Sequence, residues 1–159
     1  MSAPTEHPAI PEPPTIPAAE VAHLPTTDFG FAGPLRDQLN AAILAGAKTS
    51  TTSLVLEYRL DDEPFPEVGR RAVVISSDGQ PLVVIETAEV RFARLGDADL
   101  RHALDEGEGY ASVAEWRAGH EDFWHSENMR QYLGDPAFAV DDDTEAVLER
   151  FRVVAFVEQ

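Results

Sequence analysis

Proline is concentrated at one end of this chain. Pro4, Pro8, Pro11, Pro13, Pro14, Pro17 and Pro25 all precede the first sustained apolar pattern, in a sequence of 159 residues with 12 prolines. Each proline fixes φ and lacks a backbone N–H, so a long helix or a central strand is excluded from this stretch. Residues 1–27 therefore read as a disordered proline-rich tail. The folding unit is expected at 28–159, a length that supports one domain with its own core. Pro8, Pro11, Pro14 and Pro17 have the Pro-x-x-Pro spacing that docks aromatic grooves; a plain extension is the simpler reading.

The remaining pattern alternates little between strand and helix. Gly33-Pro34 opens a helix with proline in its first turn. Leu35, Leu39, Ala42 and Ile43 fall on one face of it, and Gly46 is its natural stop. Strand character follows from Thr51 to Tyr58 and from Arg71 to Ser76. Asp78-Gly79 is a hairpin signal, and Leu82 to Phe92 reads as the returning strand. Asp97 to Leu104 suits a short helix. Ala111 to Tyr132 suits a longer one, with Ser112 as cap and Glu115 three residues on. Val147 to Val157 closes the chain as a strand with Phe151, Val153, Ala155 and Val157 on one face. Short connections and the lack of βαβα units argue for an α+β fold, a mostly antiparallel twisted sheet or small barrel with inserted helices, and against a Rossmann fold.

The formal net charge of -17 narrows the partners. Non-specific nucleic-acid affinity comes from Lys and Arg neutralising phosphates, so long DNA and long duplex RNA are disfavoured. A nucleoside-sized ligand is not. No cysteine is present, so disulfides and thiolate metal sites are excluded and a reducing cytoplasm is compatible. No apolar run suits a membrane span or signal peptide. Asp141-Asp142-Asp143 lacks the alternating acids and turn glycine of an EF-hand loop. His120 and His125 are five apart, which does not align them on a helix face. His120 falls on the apolar face and reads as a core or rim histidine. No metal and no cofactor is expected. Glu106-Gly107-Glu108-Gly109 carries two carboxylates and would repel a phosphate.

One residue stands apart. Lys48 is the only lysine of the chain, and every other cation is arginine or histidine. An amine is a point charge that burial can turn into a base; a guanidinium is not. Lys48 follows the helix stop at Gly46 and precedes Thr49, Ser50, Thr51, Thr52 and Ser53, all potential nucleophiles. Side chains alternate along a strand, but a turn at Lys48 leaves open which hydroxyls share its face. The acids Asp105, Glu106 and Glu108 complete a set able to move protons or to bind the amino edge of a base.

Together these residues resemble the ASCH (ASC-1 homology) domain. The resemblance rests on Gly46-Ala47-Lys48 with Thr49, Ser50 and Thr51, on Glu86-Thr87-Ala88-Glu89-Val90, and on Glu106 to Gly109 followed by Trp116-Arg117 and His120 to Phe123. It runs from Phe29 to Val154. It implies a PUA-like β-barrel with a cleft for an RNA base or nucleoside. Some members remove the acetyl group of N4-acetylcytidine, using a lysine, a threonine three residues later and a downstream glutamate. Those roles would fall on Lys48 as activator, Thr51 as nucleophile and Glu108 as proton carrier, with Glu106 the neighbouring alternative. Gly46, Thr49, Ser53, Tyr110 and Trp116 become the expected ligand contacts, the aromatics by stacking on a base. Ser53 stands where the family signature has an arginine. Other members bind RNA without chemistry or are ribonucleases. The resemblance thus implies a nucleoside, a nucleotide or short single-stranded RNA as partner.

Overall fold

The protein is described here by a computed structural model covering residues 11–159. Its order is β1 (Thr15–Ile16), α1 (Ala18–Val21), β2 (Thr26–Thr27), α2 (Pro34–Leu44), β3 (Ser50–Leu54), α3 (Val55–Leu60), β4 (Arg71–Ile75), β5 (Pro81–Arg94), α4 (Leu100–Asp105), α5 (Val113–Trp124), α6 (Glu127–Leu133) and β6 (Glu145–Val157). The sheet is six-stranded in the order β1-β6-β5-β4-β2, with β3 also on β6. The β3–β6, β4–β5 and β5–β6 pairs are antiparallel; the short β1–β6 and β2–β4 pairs are parallel. No pairing closes this sheet among the described residues, so the expected barrel is an open sheet. Among the described residues the far edge of β3 carries no strand. The end of α4 covers it instead: the Thr49 N–H donates to the Asp105 carbonyl at 2.7 Å, and the Ser50 hydroxyl donates to the His102 carbonyl at 3.0 Å.

The proline-rich segment corrects one expectation. Residues 1–10 lie outside the described residues, but 11–27 are part of the fold. Proline lacks a donor yet keeps its carbonyl. The Pro14 carbonyl accepts from Phe156 N at 2.8 Å, and that of Pro25 accepts from Val73 N at 2.9 Å. Two-residue edge strands need no more, and Val21 of α1 is buried beneath them.

Two other departures have local causes. The strand expected to run to Tyr58 stops at Leu54, because the Glu57 carboxylate reaches back to accept from the Leu54 N–H at 2.7 Å and starts α3. The long helix expected to Tyr132 is two helices, since Ser126 caps α6 by accepting from Met129 N.

Packing follows the pleat, and one of its register shifts decides which face the C-terminal residues serve. Val74, Val83 and Ile85 face α2, where they meet Leu39, Ile43, Phe29 and Phe151. Val73 and Val84 face the other way, onto Val21, Ala155 and Val157. The register shifts so that Val84 opposes Ala155 while Ile85 opposes Val153. Val154 is thus an extra residue, and a bulge reverses every later side chain. Phe151 and Val153 therefore serve one face, and Ala155 and Val157 the other, rather than all four sharing one. A third core, around Trp116, Trp124, Leu54, Leu148 and Met129, fixes α5 and α6 against the sheet end.

Candidate active site

Lys48 is brought into the interior by the way α2 ends. Gly46 takes a positive φ of 79°. The next amides, of Ala47 and Lys48, both donate to the Ala42 carbonyl, at 2.9 and 3.0 Å. This turn reverses the chain into β3 and leaves Lys48 only 2% exposed. Its ammonium donates to the Ser50 carbonyl at 2.9 Å and to the carbonyl and Oε1 of Glu106, each at 3.4 Å. The Phe29 ring lies 5.8 Å away. Three acceptors meet three N–H donors, which is the environment of an ammonium rather than of a free amine.

Glu106 arrives from the opposite side because of a glycine. Gly107 has φ +68°, and a Cβ built there would lie 2.4 Å from the Ala47 carbonyl oxygen. Only a residue without a side chain lets this loop press its backbone against the Ala47-Lys48 peptide. Glu106 is 1% exposed. Its carboxylate accepts from Lys48, from the Thr52 hydroxyl at 3.2 Å and from the Trp116 indole N–H, and His120 Nε2 sits 3.1 Å from Oε2. Burial pushes the Glu106 pKa up, but the hydrogen bond from His120, the charge of Lys48 and the Trp116 N–H outweigh it and hold the group down at about 2.

The neighbouring glutamate is treated oppositely. Glu108 is half-buried on the wall of a cavity of about 790 Å³. Burial raises its pKa, with Glu106 adding to the rise and Lys48 opposing it. Two carboxylates two residues apart are thus driven in opposite directions.

Lys48, Thr51 and Glu108 all line this cavity, together with Thr52, Ser53, Tyr110 and His120. Among the described residues no hydrogen bond joins Lys48 to Thr51 or Glu108. Ser50 and Thr52 both turn to His102, at its carbonyl and at Nε2 (2.7 Å from the Thr52 hydroxyl). Pleat alternation gives Thr51 and Ser53 the other face of β3. Of the expected ligand contacts, Ser53 and Tyr110 are on the cavity wall, whereas Gly46 and Thr49 are not. Trp116 is fully buried and also off the wall, so it has no face for a base; its indole serves Glu106.

His120 is the wall residue that the sequence pattern undervalued. It lies four residues after Trp116 on α5, so both reach Glu106 from one helix face. That i, i+4 pairing of two polar-tipped rings was the available signal. His102 is a further partner of β3; burial lowers its pKa, offset in part by Glu106. The ligand-type atoms of Glu106, Glu108 and His120 lie within 4.8 Å of one another. Lys48, Thr52, Trp116 and His120 already occupy the Glu106 oxygens, so the trio is better matched to protons than to a metal ion.

A family model described as the ASCH domain matches residues 26–155. The chain belongs to the ASCH domain family. ASCH domains have a PUA-like, RNA-binding fold, which accords with the sheet and helices described above. A crystal structure of an ASCH domain from Lactobacillus crispatus JV V101 is similar at 29% identity and a TM-score of 0.71, over 84% of this chain and 80% of that one. Protein EF3133 from Enterococcus faecalis V583 shares the fold at 23% identity and a TM-score of 0.71, over 83% of this chain and 77% of that one. No curated protein matches the chain. Among the described residues of this ASCH protein, no helix is long and apolar enough to cross a membrane.

Proposed function

We propose that this ASCH domain binds a nucleoside in its cavity and hydrolyses an acyl amide on the base, as in N4-acetylcytidine. The observation that supports this reading is that Lys48, Thr51 and Glu108 all line one cavity. Its volume of about 790 Å³ suits a nucleoside. Thr51, Glu108 and Tyr110 form no side-chain hydrogen bonds among the described residues, so their capacity is available to a ligand. Thr51 attacks the acyl carbon and its proton passes to Glu108, whose raised pKa suits that transfer. Glu108 returns the proton to the amino nitrogen of the base as the C–N bond breaks, and water then hydrolyses the acyl-threonine, releasing the acid and restoring the hydroxyl. Lys48 acts through its charge, favouring the negative oxygen that develops, rather than as the base expected from sequence.

The electrostatics favour a ligand without phosphates. Asp28, Glu57, Glu63, Asp122 and Glu149 line the cavity beside Glu108, and among the described residues Arg70 is the only arginine there. A ribonuclease, or a module gripping an RNA backbone, needs more cations than this acid-rich lining offers. The test is release of cytidine and acetate from N4-acetylcytidine by the wild type and by Thr51→Ala and Glu108→Gln. Turnover by the wild type alone is expected. Absence of wild-type turnover, with binding of short single-stranded RNA at low salt, rejects the enzyme in favour of the binding module.

A further inference from the structure

His120 offers one ring nitrogen to a carbonyl and the other to a carboxylate. Nδ1 lies 2.9 Å from the Trp116 carbonyl oxygen. A carbonyl only accepts, so Nδ1 carries a proton. Nε2 lies 3.1 Å from Oε2 and 3.3 Å from Oε1 of Glu106. In a neutral ring protonated at Nδ1, the Nε2 lone pair would point at those anionic oxygens. Contacts of this length require a proton between the two groups. Lys48, Thr52 and the Trp116 indole already donate to Glu106 and keep it ionised, so the proton resides on the ring.

The surroundings agree. From the loop after α4, Glu106 and Glu108 face the ring as acids, and Tyr110 packs at 5.9 Å between centroids. Trp116 and Trp124 flank it on its own helix at 4.6 and 5.2 Å. Lys48 and His102 stand behind Glu106, the latter 3.8 Å from Oε2. Burial lowers the His120 pKa, but the Glu106 hydrogen bond and charge more than reverse it.

We propose that His120 is a standing imidazolium and a positioning residue: with Lys48 it brackets Glu106, making that carboxylate a fixed anchor and leaving Glu108 as the glutamate that carries protons. The charge state stands on geometry alone; the positioning role rests on the amidohydrolase reading above.

The experiment is a pH series of two-bond ¹H–¹⁵N spectra of the full chain, with the His120 ring assigned through His120→Gln. Both His120 nitrogens are expected at protonated shifts at pH 7, above the ordinary imidazole midpoint of about 6.5. In Glu106→Gln the same ring should titrate at lower pH. A neutral ring with bare Nε2 at pH 7, or a titration unmoved by Glu106→Gln, overturns the imidazolium. His120→Gln keeps an N–H for Glu106 but no titrating charge. On N4-acetylcytidine it should lower kcat ~10-fold with KM within ~2-fold, and lose the fall in activity with rising pH expected of the wild type. An unchanged alkaline fall in the variant overturns the positioning role. A wild type that leaves N4-acetylcytidine intact rejects the amidohydrolase reading, and the spectra still decide the charge state.

Discussion

Lys48 Nζ and Glu106 Oε1 face each other at 3.4 Å, with both side chains 2% exposed. A buried pair of this kind owes its net worth to not being half-removed, because the surviving charge is stranded in a medium that solvates it badly. Lys48→Met should lower the unfolding free energy by ~3 kcal/mol in urea denaturation, at the low end of the ~3–5 kcal/mol expected when one partner of a buried pair is removed. The double variant Lys48→Met/Glu106→Gln should cost less than the two singles combined. Additive losses would mean that the two groups do not depend on each other.

Stability should fall at both ends of the pH range. Glu106 is held at about 2 in the fold, below the ordinary carboxylate value of 4.5. Its contribution is therefore present above 4.5 and disappears as pH drops toward 2. His120 is shifted the opposite way, up from 6.5. Its contribution is complete below 6.5 and disappears as pH rises through the raised value. Urea midpoints measured across pH should show both limbs, and Glu106→Gln should flatten both, since His120 loses its anionic partner in that variant.

The two central threonines of β3 should separate. The Thr52 hydroxyl is committed to Glu106 and His102, at 3.2 and 2.7 Å. Thr52→Val should lower stability by ~1–3 kcal/mol by stranding those partners. Thr51→Ala should leave the urea midpoint nearly unchanged while reducing N4-acetylcytidine turnover by at least ~100-fold. If Thr52→Val abolishes turnover while Thr51→Ala spares it, the nucleophile has been assigned to the wrong hydroxyl.

Gly107 and Gly134 provide a matched pair. Both have positive φ, 68° and 70°, but a Cβ at 134 meets nothing within 4 Å whereas one at 107 meets the Ala47 carbonyl oxygen at 2.4 Å. Each alanine substitution should incur backbone strain of ~1–3 kcal/mol. Only Gly107→Ala should also push Glu106 off Lys48 and remove turnover. Thermal melts and initial rates of the two variants provide the comparison.

Local chemistry was readable from sequence, and long-range chemistry was not. The start and stop of α2, the Asp78-Gly79 hairpin and the Ser112 cap each depend on a few adjacent residues, and each stands where the pattern put it. The β3-to-α3 switch depends on a Glu57 carboxylate that has to reach back, and strand propensity does not register that. The Val154 bulge shows itself only against β5. Lys48 was conspicuous by residue type. Its commitment to Glu106 depends on a glycine 59 positions later in the chain, at 107, which no spacing rule connects to it. His120 was read as a core or rim histidine because a helix face says what a side chain is near, not which carboxylate another loop delivers to it.

The end of α4 seals the outer edge of β3 immediately before the loop that brings Glu106 and Glu108 to the cavity. Unsealed, that edge would present a short row of threonine and serine backbone to any passing strand. Damage to the Glu106 loop therefore does more than disable a pocket. It uncovers a template for chain-to-chain pairing, so the conditions that unmake the site are also those under which this acidic protein would begin to self-associate.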